Sequence, residues 1–164
     1  MKKIGFLGLG VMGLPMALNV LKKSGYPVLG FDVAQARLDQ FAAAGGETTS
    51  DPVDIYKTCD VIMQMLPTHP IIINSIKQAV QYGKPGNIIL DLDSTAPDII
   101  QELYPEVEAA GMHLLDSPVS GGNPMAIAGT LAIMTGGDKA VFEEVKPLLE
   151  CMGHPVYTGG PASW

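Results

Sequence analysis

The sequence predicts an α/β fold with a doubly wound, mostly parallel sheet in a single domain. Three observations carry this. Short apolar runs alternate with segments of helical periodicity from one end to the other. The apolar runs at residues 3–9, 60–66 and 87–93 are nearly continuous, as strands covered on both faces must be. Hydrophobic residues make up 47% and charged residues 16% of the 164 residues, which suits one well-buried core and argues against disorder.

The elements follow in order. Residues 3–9 (KIGFLGL) read as a strand and residues 11–25 as a helix, with Val11, Leu14, Leu18 and Leu21 on one face. Pro15 falls in the first turn, and Gly25 supplies the stop. Residues 26–32 form a second strand, residues 34–45 a second helix, and residues 51–59 a short helix with Asp51 as its N-cap. The strand at residues 60–66 enters a proline-framed loop, PTHP, and a helix over residues 71–83. The strand at 87–93 leads into a helix within residues 94–111, for which Thr95 and Asp98 make a capping-box pattern. Strands at 112–118 and 130–137, a helix at 138–153 ended or kinked near Pro147, and a strand at 155–159 complete the chain.

Composition excludes several functions. The formal net charge is −7 with no basic stripe, so a nucleic-acid surface is not expected. No apolar run is long enough to cross a bilayer. Cys59 and Cys151 lie far apart and out of metal spacing, and are expected as buried small hydrophobes in a reducing, cytoplasmic setting. His69, His113 and His154 are scattered, so no metal site is expected.

In a parallel α/β sheet, ligands bind at the carboxyl ends of the strands. The loops that follow strands therefore carry the functional argument. Residues 8–13 read GLGVMG, a G-x-G-x-x-G pattern after a strand and before a helix, and Asp32 ends the next strand about 20 residues on. That context makes the pattern a dinucleotide site of Rossmann type. Gly8 allows the tight turn, Gly10 lets the backbone approach a pyrophosphate, and Gly13 lets the helix pack close. The N–H groups at Leu9, Val11 and Met12 border the same turn. Asp32 can accept from ribose hydroxyls and would repel a 2′-phosphate, which favours NAD over NADP; Arg37 reads as a solvated helix residue. Leu66 and Pro67 offer backbone groups along a cofactor, or form a plain strand exit. Thr95 is a helix cap or a contact on the nicotinamide side. Ser120, Gly121 and Gly122 follow Pro118 in a stiff turn that either converges on a small carboxylate or is a plain loop with glycines for tight geometry.

Together, IGFLGLGVMGLPMALNVL, MLP, DLDST and DSPVSGGNPMAIAGTLAIMTGG resemble the β-hydroxyacid dehydrogenases. That family includes 3-hydroxyisobutyrate dehydrogenase, 2-hydroxy-3-oxopropionate reductase and, more distantly, 6-phosphogluconate dehydrogenase. The resemblance covers nearly the whole chain. It implies that residues 8–13 and Asp32 bind NAD, that Leu66, Pro67 and Thr95 lie towards the nicotinamide, and that Ser120, Gly121 and Gly122 hold the substrate carboxylate. It implies hydride transfer between NAD and a small β-hydroxy acid or its semialdehyde. The family continues beyond YTGGPG into a long helix with a catalytic lysine and an all-helical domain that completes the cleft and the homo-oligomer. This sequence reads VYTGGPASW, and Lys139 is expected to be a surface lysine rather than a substitute. Residues 1–164 are thus expected to be the NAD(P)-binding domain alone, with no catalytic residue of its own, able to bind cofactor but essentially inactive. Apolar surface should be uncovered over residues 156–164. The alternative is a module that senses NAD(H) or a carboxylate without catalysis.

Overall fold

The structure, a computed structural model, describes residues 2–163. Strands β1 (Ile4–Leu7), β2 (Val28–Phe31), β3 (Glu47–Thr48), β4 (Val61–Gln64), β5 (Ile88–Asp91) and β6 (His113–Asp116) pair in parallel in the order β3-β2-β1-β4-β5-β6. The sheet continues through β8 (Leu131–Gly136), which runs antiparallel to β6 and to the short β7 (Val119–Ser120). An outer strand, β9 (Gly153–Gly159), pairs parallel to β8.

Side-chain alternation along the strands divides the core in two. Ile4, Phe6, Val61, Met63, Ile88 and Leu90 face one way, against α1 (Gly13–Ser24), α2 (Gln35–Ala43) and α7 (Lys139–Glu150). Ile62, Ile89 and Leu114 face the other way, against α3 (Val53–Thr58), α4 (His69–Tyr82) and α5 (Pro97–Ala109). The fold is therefore the doubly wound α/β arrangement that the alternating pattern predicts.

Local departures have identifiable causes. The buried side of α1 is Met16, Ala17 and Val20, while Leu14, Leu18 and Leu21 are only partly buried and Val11 is exposed. The helix is apolar over more than one stripe, and the docking of the helix on the sheet decides which stripe is buried. The N-cap of α5 is Ala96, with no side-chain cap, because the Thr95 hydroxyl donates to Asp91 instead. At α3, Pro52 occupies the N-cap and Asp51 accepts from the Val53 N–H (3.0 Å). Helix α7 runs through Pro147 to Glu150, since it buries Val145, Leu148 and Leu149 on both sides of the proline. The six-residue helix α6 (Asn123–Ala128) and the two-residue strands β3 and β7 carry too little periodicity to be read from sequence.

Beyond β6 the sheet is covered on one face only. Leu131 and Ile133 are buried, whereas Met134, in register with Val156, is 42% exposed and Val156 is 59% exposed. Ala132 and His154 lie on that same exposed face, and so does Ser120, in register with Ala132. The uncovered surface expected over residues 156–164 is thus seen at Val156; Trp164 lies outside the described residues. Cys59 and Cys151 are free and buried. Among the described residues, no helix is long and apolar enough to cross a membrane, and no group of three acidic, histidine or cysteine side chains could hold a metal.

Candidate functional site

The turn between β1 and α1 is fixed by backbone contact. Gly8 has φ +96°, and a Cβ there would collide with the Met65 carbonyl oxygen. A Cβ at Gly13 would collide with the Gly8 carbonyl oxygen, so only glycine lets the helix begin where it does. Gly10 differs: a Cβ would meet nothing within 4 Å. A side chain at Gly10 would obstruct no part of the fold and would project into open space beside the turn. Leu9 anchors the turn in the core, Val11 is exposed, and Met12 stands at the N-cap with no side-chain bond of its own.

Asp32 organises the same turn. Its carboxyl accepts from the Leu9 N–H (2.8 Å) and the Ala34 N–H (2.8 Å), and the Gly8 N–H donates to the Phe31 carbonyl (2.9 Å). Each carboxylate oxygen retains a lone pair after one N–H bond. Asp32 can therefore hold the turn and still accept from a ligand hydroxyl. It lines a cleft of about 410 Å³ with Gly8, Gly10, Phe31, Val33, Met65, Leu66, Pro67 and Ile71. That volume and its mostly apolar lining suit a small-molecule or cofactor site. Arg37 reaches Gln40 at 3.5 Å and lines a neighbouring groove with Val11, Leu14 and Ile127, which meets the Asp32 cleft at Gly10.

The exits of β4 and β5 form a second recess, lined by Leu66, Pro67, Thr68, His69, Ile72, Asp93 and Ser94. Leu66 and Pro67 border both hollows, so the two are continuous along this loop. Thr95 is fully buried and turned away from the recess, with its hydroxyl on Asp91 (2.5 Å). Ser94, its exposed neighbour, faces the opening. Asp91 also accepts from the Gln64 side-chain amide (3.3 Å) and the Asp93 N–H (3.3 Å). Burial pushes the Asp91 carboxyl above its usual range. Burial and then the negative Asp91 beside it push Asp93 up to about 9. The sequence marks the loop at residues 93–95 as a strand exit but points to Thr95 alone, not to Asp93 or Ser94. The available signal was the Asp-x-Asp spacing, which puts two carboxyls on one side of a strand end.

The third exit, after β6, carries the stiff turn. The Ser117 N–H donates to the Asp91 carbonyl (2.8 Å), which holds this exit beside β5. Ser120, Gly121 and Gly122 are exposed, and Gly121 has φ +132°. The Asn123 side chain donates to the Val11 carbonyl (2.8 Å). Asn19 of α1 donates to the Ala126 carbonyl (2.8 Å) in α6. The Asn123 amide ties the end of the 120–122 turn to the 8–13 turn and the Asn19 amide ties α6 to α1, although the paired residues are more than 100 apart in sequence. Lys139, at the start of α7, is exposed.

A glycine-shaped turn at a helix start, a carboxylate at the end of the neighbouring strand and a cleft between them define a dinucleotide-binding domain of Rossmann type. The sequence model for the NAD-binding domain of 6-phosphogluconate dehydrogenase matches residues 3–160, and the chain belongs to that family. The chain is similar to the NAD-dependent L-serine dehydrogenase of Pseudomonas aeruginosa, at 37% identity over 164 residues, covering 98% of this chain and 55% of that protein. It is similar to the mitochondrial 3-hydroxyisobutyrate dehydrogenase of Homo sapiens, at 39% identity over 160 residues, covering 95% of this chain and 47% of that protein. The structure of Mycobacterium tuberculosis 3-hydroxyisobutyrate dehydrogenase with L-serine superposes with a TM-score of 0.94 at 33% identity, over 99% of this chain and 56% of that one. The chain thus spans about half the length of the curated relatives it matches. It is an NAD-binding domain of the hydroxyacid dehydrogenase family.

Proposed function

We propose that this chain is the cofactor-binding half of an oxidoreductase that moves a hydride between NAD and a small β-hydroxy acid or its semialdehyde. The substrates in view are of the 3-hydroxyisobutyrate, 2-hydroxy-3-oxopropionate or serine type. The observation that carries this reading is the Asn123 bond to the Val11 carbonyl, which joins the 120–122 turn to the nucleotide-type turn at one edge of the sheet. In this reading Gly8, Leu9, Gly10, Val11, Met12 and Gly13 meet the diphosphate through backbone N–H groups. Asp32 takes the adenosine ribose hydroxyls, which favours NAD over NADP. Leu66 and Pro67 run along the cofactor. Ser94 takes the cofactor-facing position first expected of Thr95, and Thr95 acts from beneath, through Asp91. Ser120, Gly121 and Gly122 hold the substrate carboxylate.

When bound, NAD supplies the hydride acceptor. The residues of this chain bind and orient, and they exclude water from one side of the cleft. The proton of the substrate hydroxyl needs a general base, worth about 10²- to 10⁴-fold in rate. Lys139 lies exposed at the start of α7, so this base is assigned to a helical region beyond these residues. That region would cover the bare face of β8 and β9 and build the homo-oligomer. The chain by itself then binds cofactor with negligible turnover. A panel of β-hydroxy acids, tested on the chain and on the longer parent protein with NAD and NADP, decides the matter. The expected result is turnover by the parent with NAD and none by the chain. Family-like rates from the chain alone would overturn the division of labour, and preference for NADP would overturn the Asp32 argument.

A further inference from the structure

We propose that Asp93 is a positioning residue for the cofactor: its carboxyl holds the backbone N–H of Leu66 and so sets the course of Leu66 and Pro67 along the cleft. The inference rests on the reading that the cleft takes NAD. Both Asp93 oxygens lie within reach of that single N–H, at 2.9 and 3.1 Å, and the residue is only 6% exposed. The contact spans two strand exits. Leu66 is leaving β4 and Asp93 is leaving β5, just past the Leu92 N–H bond to the Gln64 carbonyl that closes the ladder between them. The contact ties the loop that borders both the cleft and the recess to the end of β5.

An asparagine could accept the same N–H bond. What an acid adds is a proton. Burial and the adjacent Asp91, with which it shares a hydrogen bond, favour the neutral Asp93 carboxyl, so the loop tie carries no charge that would oppose an anionic ligand. The ionisable groups around it are Asp91 on its own strand, Asp116 on β6 in register with Asp91, His69 at the start of α4 and Asp98 in the first turn of α5. Three of these four are acidic. As pH rises through about 9, Asp93 adds one more negative charge beside the cofactor loop, so affinity for the anionic dinucleotide falls.

The test is an NADH titration, followed by nucleotide fluorescence, of the wild-type chain, Asp93→Ala and Asp93→Asn at neutral pH and at about pH 10, with circular dichroism to verify folding. Asp93→Ala should weaken NADH by about tenfold at neutral pH, while Asp93→Asn stays within about threefold of wild type. Wild type should lose affinity several-fold at the higher pH, and Asp93→Asn should not. A wild-type chain that binds while Asp93→Ala binds equally well overturns the inference alone. So does an Asp93→Asn variant that loses affinity with pH as wild type does, a readout that holds even where the alanine variant fails to fold. A wild-type chain that binds no NADH at either pH overturns the reading of the cleft and the inference with it.

Discussion

The two ends of the sheet are built differently. From β2 to β5 both faces are covered by helices, and the turn at residues 8–13 is locked by carbonyl contacts that leave no room for a Cβ at Gly8 or Gly13. Its carboxylate, Asp32, already holds two N–H groups. At β8 and β9 one face is bare, with Met134 and Val156 exposed, and the turn at Ser120 opens onto that same face. The first region is a finished site, preorganised before any ligand arrives. In the proposed reading the second is one wall of a site. The difference separates what this chain does alone from what needs another surface.

Substitutions can break or sharpen that comparison. The largest effect belongs to Gly13→Val. The new side chain must displace the Gly8 carbonyl, so a loss of about 3 kcal/mol or more is expected, lowering the melting temperature by at least about 6 °C. A variant that melts with wild type would mean the turn is not locked. Next is the pH dependence of stability. Asp93 titrates at about 9 in the folded chain, against about 3.9 for an unperturbed aspartate, so between these values the folded state holds a proton that the unfolded state has released. The contribution is fully present below about pH 4 and is lost as pH rises towards 9; urea melts should show stability declining across that window. Asp93→Asn should flatten that decline.

Gly10→Val isolates ligand approach from folding. Its Cβ meets nothing in the fold, so stability should stay within about 1 kcal/mol of wild type. NADH affinity should nonetheless fall by about tenfold, or about 1.4 kcal/mol. A loss of stability without a loss of binding would reverse the roles given to Gly10 and Gly13. The smallest effect on the chain is that of Ser120→Ala, on the open side. NADH affinity should change by less than about twofold in a calorimetric titration. A large change would place Ser120 in the cofactor region and erase the division between the two ends.

Much of this was legible in the sequence because local chemistry dictated it. Gly8 and Gly13 are needed at fixed spacing by the turn itself, and Asp32 follows at the end of the next strand. Strand and helix periods differ enough to show the layering. What escaped depended on tertiary choice. Thr95 could cap a helix or meet a ligand; a buried Asp91 four residues earlier drew its hydroxyl inward, and that pairing exists only once β5 is packed. Asp93 has no local signature beyond its place after a strand and its Asp-x-Asp spacing, and only the approach of Leu66 from another strand gives it a role. The tie between Asn123 and Val11 crosses more than 100 residues and has no local signature. Stripe preference on α1 was likewise set by the sheet, since Met16 and Leu14 are both apolar enough to be buried.

The central claim is that the cofactor half is complete in this chain while the reaction is not. One pair of assays on the purified chain meets it directly: titrate one sample with NADH, and to a second sample loaded with NAD add 3-hydroxyisobutyrate and follow reduced nucleotide. The account predicts saturable submillimolar NADH binding at one site in the first, and no growth of reduced nucleotide in the second. Absence of saturable binding, or steady NADH formation at family-like rates, would contradict it.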